Sequence, residues 1–389
     1  MTDDRRLTTD DWQPSRDTLP AMFLRVIIGV AGVVLILGTV LSAVRTVILP
    51  RSAQSVLNRV VFRSLRRAFE LVAGLRKSFE WRDKVMAHFS PIALLVLVAT
   101  WLVMALLGFM AIHWAVEQQG WADAFHKSGS SLLTLGFAPI DGSAMRAVSF
   151  IEAALGLALL ALLITYLPTL YGAFSRRETR VAMLETRAGT PPSSVEMLLR
   201  FHRIGLTNHM VDTWSDWELW FAEVEESHTS YPSLVFLRSP QPERHWVTAA
   251  GTVLDGAALT LAAVDRPFQA EAAIVVRAGF ISLRRIADLF GVAYDPDPAP
   301  TDPIAISRSE FDDALGRLAD NGVPIKEDRD QAWSDFSGWR VNYDVVLLSL
   351  AEITMAPYAP WVSDRSTPAH LKPRVSRWGR RWRQRIGIE

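Results

Sequence analysis

The sequence predicts an all-α membrane protein: three transmembrane helices, a re-entrant helix and loop before the third, and a helical domain after it. Three observations carry this reading. Residues 89–116 contain no Asp, Glu, Lys or Arg, and residues 147–175 contain only Glu152, so each stretch can cross the hydrocarbon core as a helix. Between them runs Ser128-Gly129-Ser130-Ser131-Leu132-Leu133-Thr134-Leu135-Gly136-Phe137-Ala138, small and polar against its flanks. Beyond residue 175 apolar residues recur at helical spacing, and strand alternation is scarce.

Half of the 389 residues are hydrophobic, and they concentrate in the first 175 positions, which separates membrane insertion from an ordinary large core. The 41 basic and 41 acidic side chains cancel, so only their distribution along the chain is informative, and no nucleic-acid partner is expected. The absence of cysteine excludes disulfides, thiol catalysis and thiolate metal sites.

Residues 1–19 form an acidic head with Asp3, Asp4, Asp10, Asp11 and Asp17. The first transmembrane helix is predicted over 20–48, because Val26 to Val44 is 19 residues without a formal charge, bounded by Arg25 and Arg45. It is longer than a signal-peptide core and meets Arg45 in place of a small-residue cleavage site, so it reads as a retained span.

Lys and Arg in short connections favour the cytoplasmic side. Residues 1–19 hold three, residues 51–88 nine and residues 117–146 two, and Arg176, Arg177 and Arg180 follow the last span. The N-terminus is therefore expected outside, the 51–87 linker inside, the 117–146 connection outside, and the rest inside a cell (plasma) membrane. In the linker, Arg59, Arg63, Arg66 and Arg67 share one side of a predicted helix, while Val61, Leu65, Val72, Leu75 and Phe79 follow helical spacing on another. Such a helix suits the surface of an anionic leaflet. Voltage sensing is the sharper alternative, but sensor arginines belong inside an apolar span.

Residues 88–176 form one module: an outer helix 88–117, a short helix and loop 121–139, and an inner helix 146–175. Trp121 to Leu133 can form the short helix, with Asp123 near its start and Ser128, Ser130 and Ser131 in its last turns, its C-terminal carbonyls favouring a cation. The following Thr134, Leu135, Gly136, Phe137 and Ala138 can present consecutive backbone carbonyls that replace the hydration shell of a monovalent cation. Gly136 relieves the dihedral constraint and Thr134 can add its hydroxyl. Irregular backbone at this depth is tolerable where it lines a water-filled path.

Span, short helix, Thr-Leu-Gly-Phe and span resemble the pore module of the two-transmembrane, potassium-channel-like pore-loop ion channel family, over roughly residues 88–176. That family's filter is usually written Thr-Val-Gly-Tyr-Gly-Asp. Thr134, Leu135, Gly136 and Phe137 match its first four positions, with a monovalent cation implied at those four residues. Ala138 stands where the second glycine belongs and Pro139 where the acid belongs. The alanine predicts backbone strain of roughly 1 kcal/mol or more per subunit in the outer part of the loop. The resemblance implies a homotetramer, because one chain supplies a quarter of the ring, and a permeant potassium ion, with sodium as the alternative.

In the inner helix Gly156 is a gating-hinge candidate, close packing being the other reading, and Pro168 should kink the helix near its cytoplasmic end. Thr165 and Tyr166 are candidates for a lower constriction. Glu152 is expected at the outer interface near Arg146, with support of the loop from behind as the alternative. His113 is expected at the outer end of its span.

Residues 177–364 are expected to be a helical cytoplasmic domain with helices over Val195–His202, Phe280–Phe290 and Phe311–Ala319, a loop over 295–303 and a hinge over 186–194. Trp214, Trp217 and Trp220 should form a buried ridge, and Val253 to Val264 is too short to span and reads as a buried helix. Neither a calcium hand nor a Gly-rich nucleotide loop is recognisable. In the basic tail 365–389, Arg374, Arg377, Arg381 and Arg385 fall on one helical face near Trp378 and Trp382, a second candidate for anionic lipid, with a disordered basic tail as the alternative.

The expectation is a tetrameric cation channel whose cytoplasmic domain assembles or gates it, with no cofactor beyond the permeant ion and no residue signature for a gating ligand. A weakly selective or sodium-permeable channel is the alternative within the class. The alternative outside it is a non-conducting membrane sensor or scaffold. An enzyme is not expected, since no nucleophile, base and orienting group share a recognisable spacing.

Overall fold

The computed structural model describes residues 18–47, 56–76, 78–117, 120–206 and 209–365. Most of the N-terminal tail and the basic residues Arg374, Arg377, Arg381 and Arg385 lie outside these. Among the described residues the chain is all-helical, without a strand beyond one isolated bridge between Val264 and Ile325. In order the helices are α1 (Thr18–Val47), α2 (Val56–Ala73), α3 (Phe79–Ala87), α4 (Phe89–Glu117), α5 (Trp121–Leu132), α6 (Ser143–Ala188), α7 (Ser194–Arg203), α8 (Met210–Ser230), α9 (Trp246–Ala262), α10 (Ala270–Asp288), α11 (Arg308–Asp320), α12 (Arg329–Arg340) and α13 (Asp344–Thr354). The described residues build two compact units, one from those up to residue 62 together with 94–166, the other from 63–93 together with those from 167 to 365.

The first unit is built mainly from long apolar helices. α1, α4 and α6 are the described helices long and apolar enough to cross a membrane, and they suggest a membrane protein. Large apolar side chains face outward along them: Phe23 on α1 is 70% exposed, Val103 on α4 53% and Phe150 on α6 73%. In lipid such helices associate through close packing rather than through escape from water. α1 meets α4 where both are bare: a Cβ on Gly32 would stand 2.5 Å from the Gly108 carbonyl oxygen. Elsewhere in this unit Ala43, Leu97, Trp101, Ala105, Leu132 and Leu159 belong to a small buried cluster, and the Trp101 indole donates to Ser42 Oγ at 3.2 Å.

Two boundaries differ from expectation. The linker is two helices rather than one, because the chain turns at Gly74 and Leu75, where backbone bonds close back on Glu70 and Val72, and restarts after Ser78 in extended conformation. The inner helix runs 46 residues to Ala188 and passes Pro168 without interruption, so the irregular segment predicted over 186–194 begins only after it. Proline inside a helix removes one backbone bond, and the remaining turns sustain the element.

The second unit is organised around α9, in which every residue but Leu261 is buried. A segment too short to span a membrane has become the centre of a soluble-type core, as its composition predicted. α10 packs against α8 and α9, and α7, α12 and α13 also contact α9. Trp214, Trp217 and Trp220 are at most 3% exposed, with Glu218, Glu223 and Glu226 on the open side of the same helix. Burying each large apolar side chain contributes roughly 1.5–3 kcal/mol. The helix starts are capped from the sequence: Ser193 accepts from Glu196 N, Ser307 and Glu310 form a capping box, and Asp328 accepts from Gln331 N.

Charge inside this core is fully paired. Arg340 has no exposed surface, and its Nε donates to Asp344 Oδ1 at 2.7 Å, one terminal nitrogen to Asp255, and the other to the Trp361 carbonyl at 2.8 Å. Tyr343 adds its hydroxyl to Asp255 at 2.8 Å. Burial opposes the charge of Arg340, but Asp255 and Asp344 outweigh it and hold the guanidinium above its ordinary value. Arg177 is likewise buried, donating to the Leu234 and Leu237 carbonyls at 2.8 and 2.7 Å and to His228 Nε2 at 3.1 Å. A guanidinium only donates, so His228 carries its proton on Nδ1.

Candidate functional site

α5 and the loop after it, residues 133–142, bring together the residues singled out between the second and third spans. The helix begins after Gly120 with Asp123 in its first turn, and Ser128, Ser130, Ser131 and Leu132 are buried at its C-terminal end. The loop then folds back on one residue. Leu135 N and Gly136 N donate to the Ser130 carbonyl at 2.8 and 3.3 Å, and Phe137 N and Ala138 N donate to Ser130 Oγ at 3.0 and 3.1 Å.

This arrangement fixes a direction. The one cis peptide among the described residues joins Thr190 to Pro191, so the loop peptides are trans, and in a trans peptide each N–H opposes the carbonyl before it. With four successive amides turned toward Ser130, the carbonyls of Thr134, Leu135, Gly136 and Phe137 turn away from α5 to the open side. Backbone handedness supports this: Thr134 and Gly136 have φ of 56° and 69°, while Leu135 and Phe137 are not left-handed. Glycine adopts such a value freely, whereas for β-branched Thr134 it is an outlier that the Ser130 bonds sustain.

Thr134, Leu135, Gly136 and Phe137 are exposed and Ala138 is half-buried. The strain expected at Ala138 is not found, because its φ is not left-handed and the positive angle beyond Phe137 falls at Gly142. The Thr134 hydroxyl donates to the Leu133 carbonyl at 2.8 Å, leaving its lone pairs as acceptors. Phe137 is 65% exposed.

Behind the loop α5 rests on α6. Ser131 Oγ lies 2.6 Å from Ser149 Oγ, and a Cβ on Gly156 would meet the Leu132 carbonyl oxygen at 2.0 Å. Gly156 therefore has a packing reason to be glycine, on a helix continuous through it. A residue lining an axial path must be open on its own chain. Thr165 is exposed, its hydroxyl bonded to the Ala161 and Leu162 carbonyls at 3.1 Å, whereas Tyr166 is buried and does not meet that requirement. Pro168 is exposed.

Glu152 does not pair with Arg146. It is fully buried, accepts a hydrogen bond from Ser128 Oγ and lies 3.4 Å from His113 Nε2, while Arg146 is exposed and donates to the Ile140 carbonyl at 3.2 Å. His113, expected at the end of its span, is buried as well. Sequence signals for this grouping are faint: the lone acid in a 29-residue apolar run is one, and a histidine in the other span is the second. Among the described residues no group of His, Asp and Glu is arranged to hold a metal ion.

Elsewhere, a cavity of about 600 Å³ in the second unit is lined by Arg66, Arg76, Arg82, Glu70 and Glu352. Arg66 is committed there to Glu70 at 2.6 Å and to the Ile353 carbonyl at 2.8 Å. Comparison with protein-family models, with curated proteins and with solved structures finds no match to this chain. The site's reading therefore rests on its geometry.

Proposed function

We propose that the protein is a homotetrameric, potassium-channel-like cation channel. The observation that carries this reading is the set of four amides gathered on Ser130, which leaves four successive carbonyl oxygens on the open side of the loop. Carbonyl oxygens in series replace the hydration shell of a monovalent cation, and a ring of four chains would surround it. The negative end of α5 lies at the same place and favours a positive ion. The exposed apolar residues Phe150, Ile151 and Leu157 of α6 offer surface for lipid and for neighbouring copies.

In this reading residues 134–138 are the filter, α5 is the pore helix and α6 the inner helix. The distribution of Lys and Arg supports an extracytoplasmic N-terminus and loop and a cytoplasmic helical domain in the plasma membrane. α2 rests on the inner leaflet through Val56 and Val60, both more than half exposed. A weakly selective or sodium-permeable pore is favoured by one observation: Phe137 lacks a hydroxyl and its side chain is 65% exposed, so the loop's width is less firmly set.

Ion flux into liposomes containing the purified protein tests this, under a potassium gradient and an equal sodium gradient. Potassium flux is expected and Gly136→Asp should abolish it, since aspartate strains the left-handed position and adds a charge to the path. Equal flux of both ions, still lost in the variant, would make the pore non-selective. Absence of flux under either gradient would overturn the channel reading and favour a sensor or scaffold.

A further inference from the structure

Behind α5 lies a buried chain of ionisable groups that the proposed conduction path does not use. His113 and Glu152 have no exposed surface, and the Lys127 and Glu117 side chains are 9% and 10% exposed. Lys127 Nζ is 2.6 Å from Glu117 Oε2, His113 Nδ1 is 3.6 Å from Glu117 Oε1, and His113 Nε2 is 3.4 Å from Glu152 Oε2. Glu152 also accepts from Ser128, whose oxygen lies 3.1 Å from the Leu106 carbonyl. From α1, Arg25 stands over the ring of Trp114, the residue after His113, at 5.5 Å. Arg146 of α6 is turned away on the Ile140 carbonyl.

Glu117 is paired with Lys127, whereas the side chains that meet Glu152 are the Ser128 hydroxyl and the His113 ring, which is a cation only when protonated. A neutral imidazole offers one N–H to two carboxylates, whereas the imidazolium offers two. The buried atoms left without a hydrogen-bond partner include His113 Nδ1 and Glu117 Oε1, the two that a second N–H would join. A lone carboxylate buried among apolar helices is costly, and a carboxylate paired with a charged donor is far less so.

We propose that His113 is a proton-binding site that, when protonated, bridges Glu117 and Glu152 and locks α4 to α6 behind α5. The proton comes from water, and no bond other than N–H forms or breaks. Its loss leaves a single N–H for the two carboxylates, so the ring can hold Glu117 or Glu152 but no longer both, and Ser128, the other partner of Glu152, precedes by two residues the Ser130 that holds the loop. The 133–142 loop is then supported less firmly, and flux through it becomes dependent on pH. Only this last consequence rests on the channel reading.

The test uses the full chain and two variants that keep hydrogen-bonding shape while removing the titration or the charge, His113→Gln and Glu152→Gln. Thermal unfolding is compared between about pH 5 and pH 8, where an imidazole changes charge. The midpoint difference between wild type and His113→Gln should be largest at the acid end and fall to a constant value at the alkaline end. Taking the difference cancels contributions from other titrating groups. In liposomes, potassium flux of the wild type should change by at least about threefold across that range, as a shift between two states set by one proton would give, and both variants should be flat. Should His113→Gln fail to fold, Glu152→Gln carries the same comparison. A midpoint difference that does not vary with pH overturns the proton site, and a pH profile of flux unaltered by either variant overturns its coupling to the loop while leaving the channel reading intact. Absence of wild-type flux at every pH overturns both the channel reading and the coupling, and the thermal comparison then decides the proton site on its own.

Discussion

Arg340 in one unit and His113 in the other are each fully buried between two carboxylates, and they differ in how completely they are met. Arg340 places donors on Asp255, Asp344 and the Trp361 carbonyl, with Tyr343 completing Asp255. His113 has carboxylates 3.4 and 3.6 Å from its two nitrogens, and one of those nitrogens has no hydrogen-bond partner. A completed network in a low-dielectric interior resists change, because every alternative strands a charge. An incomplete one has a second state within reach. The comparison separates a part of the molecule built to keep its shape from a part with room to respond.

The largest effect should come from breaking the completed network. Arg340→Met leaves Asp255 and Asp344 buried without their cation and should cost about 3–5 kcal/mol of unfolding free energy, read from denaturant midpoints. A loss under about 1 kcal/mol would mean that water replaces the guanidinium, and that the two clusters are alike after all.

A smaller effect is expected where α5 meets α6. Gly156→Ala sets a Cβ against the Leu132 carbonyl and should destabilise by roughly 1–3 kcal/mol through overpacking. If Gly156 serves instead as a hinge, the substitution would leave unfolding nearly unchanged and alter flux alone.

The smallest effect concerns His228 and His245 in the second unit. Burial, followed by the charge of Arg177 at His228 and of Arg238 at His245, pushes both rings well below the ordinary imidazole value of 6.5. They are neutral when folded and take up protons when unfolded, so stability is complete above that value and falls as the pH drops through it. The slope is at most about 1.4 kcal/mol per pH unit for each ring. His228→Gln should flatten the acid side of the curve, and an unchanged slope would mean that the ring is protonated within the fold.

Much of the fold was legible because it depends on local composition. The spans announce themselves as long uncharged runs, α9 as an apolar segment too short to cross, and α7 and α11 as amphipathic stretches that end near Gly205 and at Asn321-Gly322. What was not legible depends on pairing across distance. Glu152 meets Ser128 and His113, 24 and 39 positions away on other helices, and nothing within a helical repeat of Glu152 signals either. The break at Gly74 was hidden because basic and apolar residues continue with helical periodicity on both sides of it. At the loop, Gly136 was read as the permissive position, but the second left-handed residue is Thr134, where the side chain argues against such an angle. The hydroxyl and carbonyl of Ser130 supply what its sequence context did not reveal, a single residue on which four amides converge.

That convergence bears on how this segment can change over time. Its open face is made of main-chain oxygens, which are chemically alike whichever side chains flank them. Leucine or valine at position 135, and phenylalanine or tyrosine at 137, would present the same row of acceptors so long as the amides behind still reach Ser130. The constraint therefore falls on a serine eight positions before Ala138, and a reader aligning only the Thr-Leu-Gly-Phe tetrapeptide would weigh the freer residues and overlook the one that governs their shape.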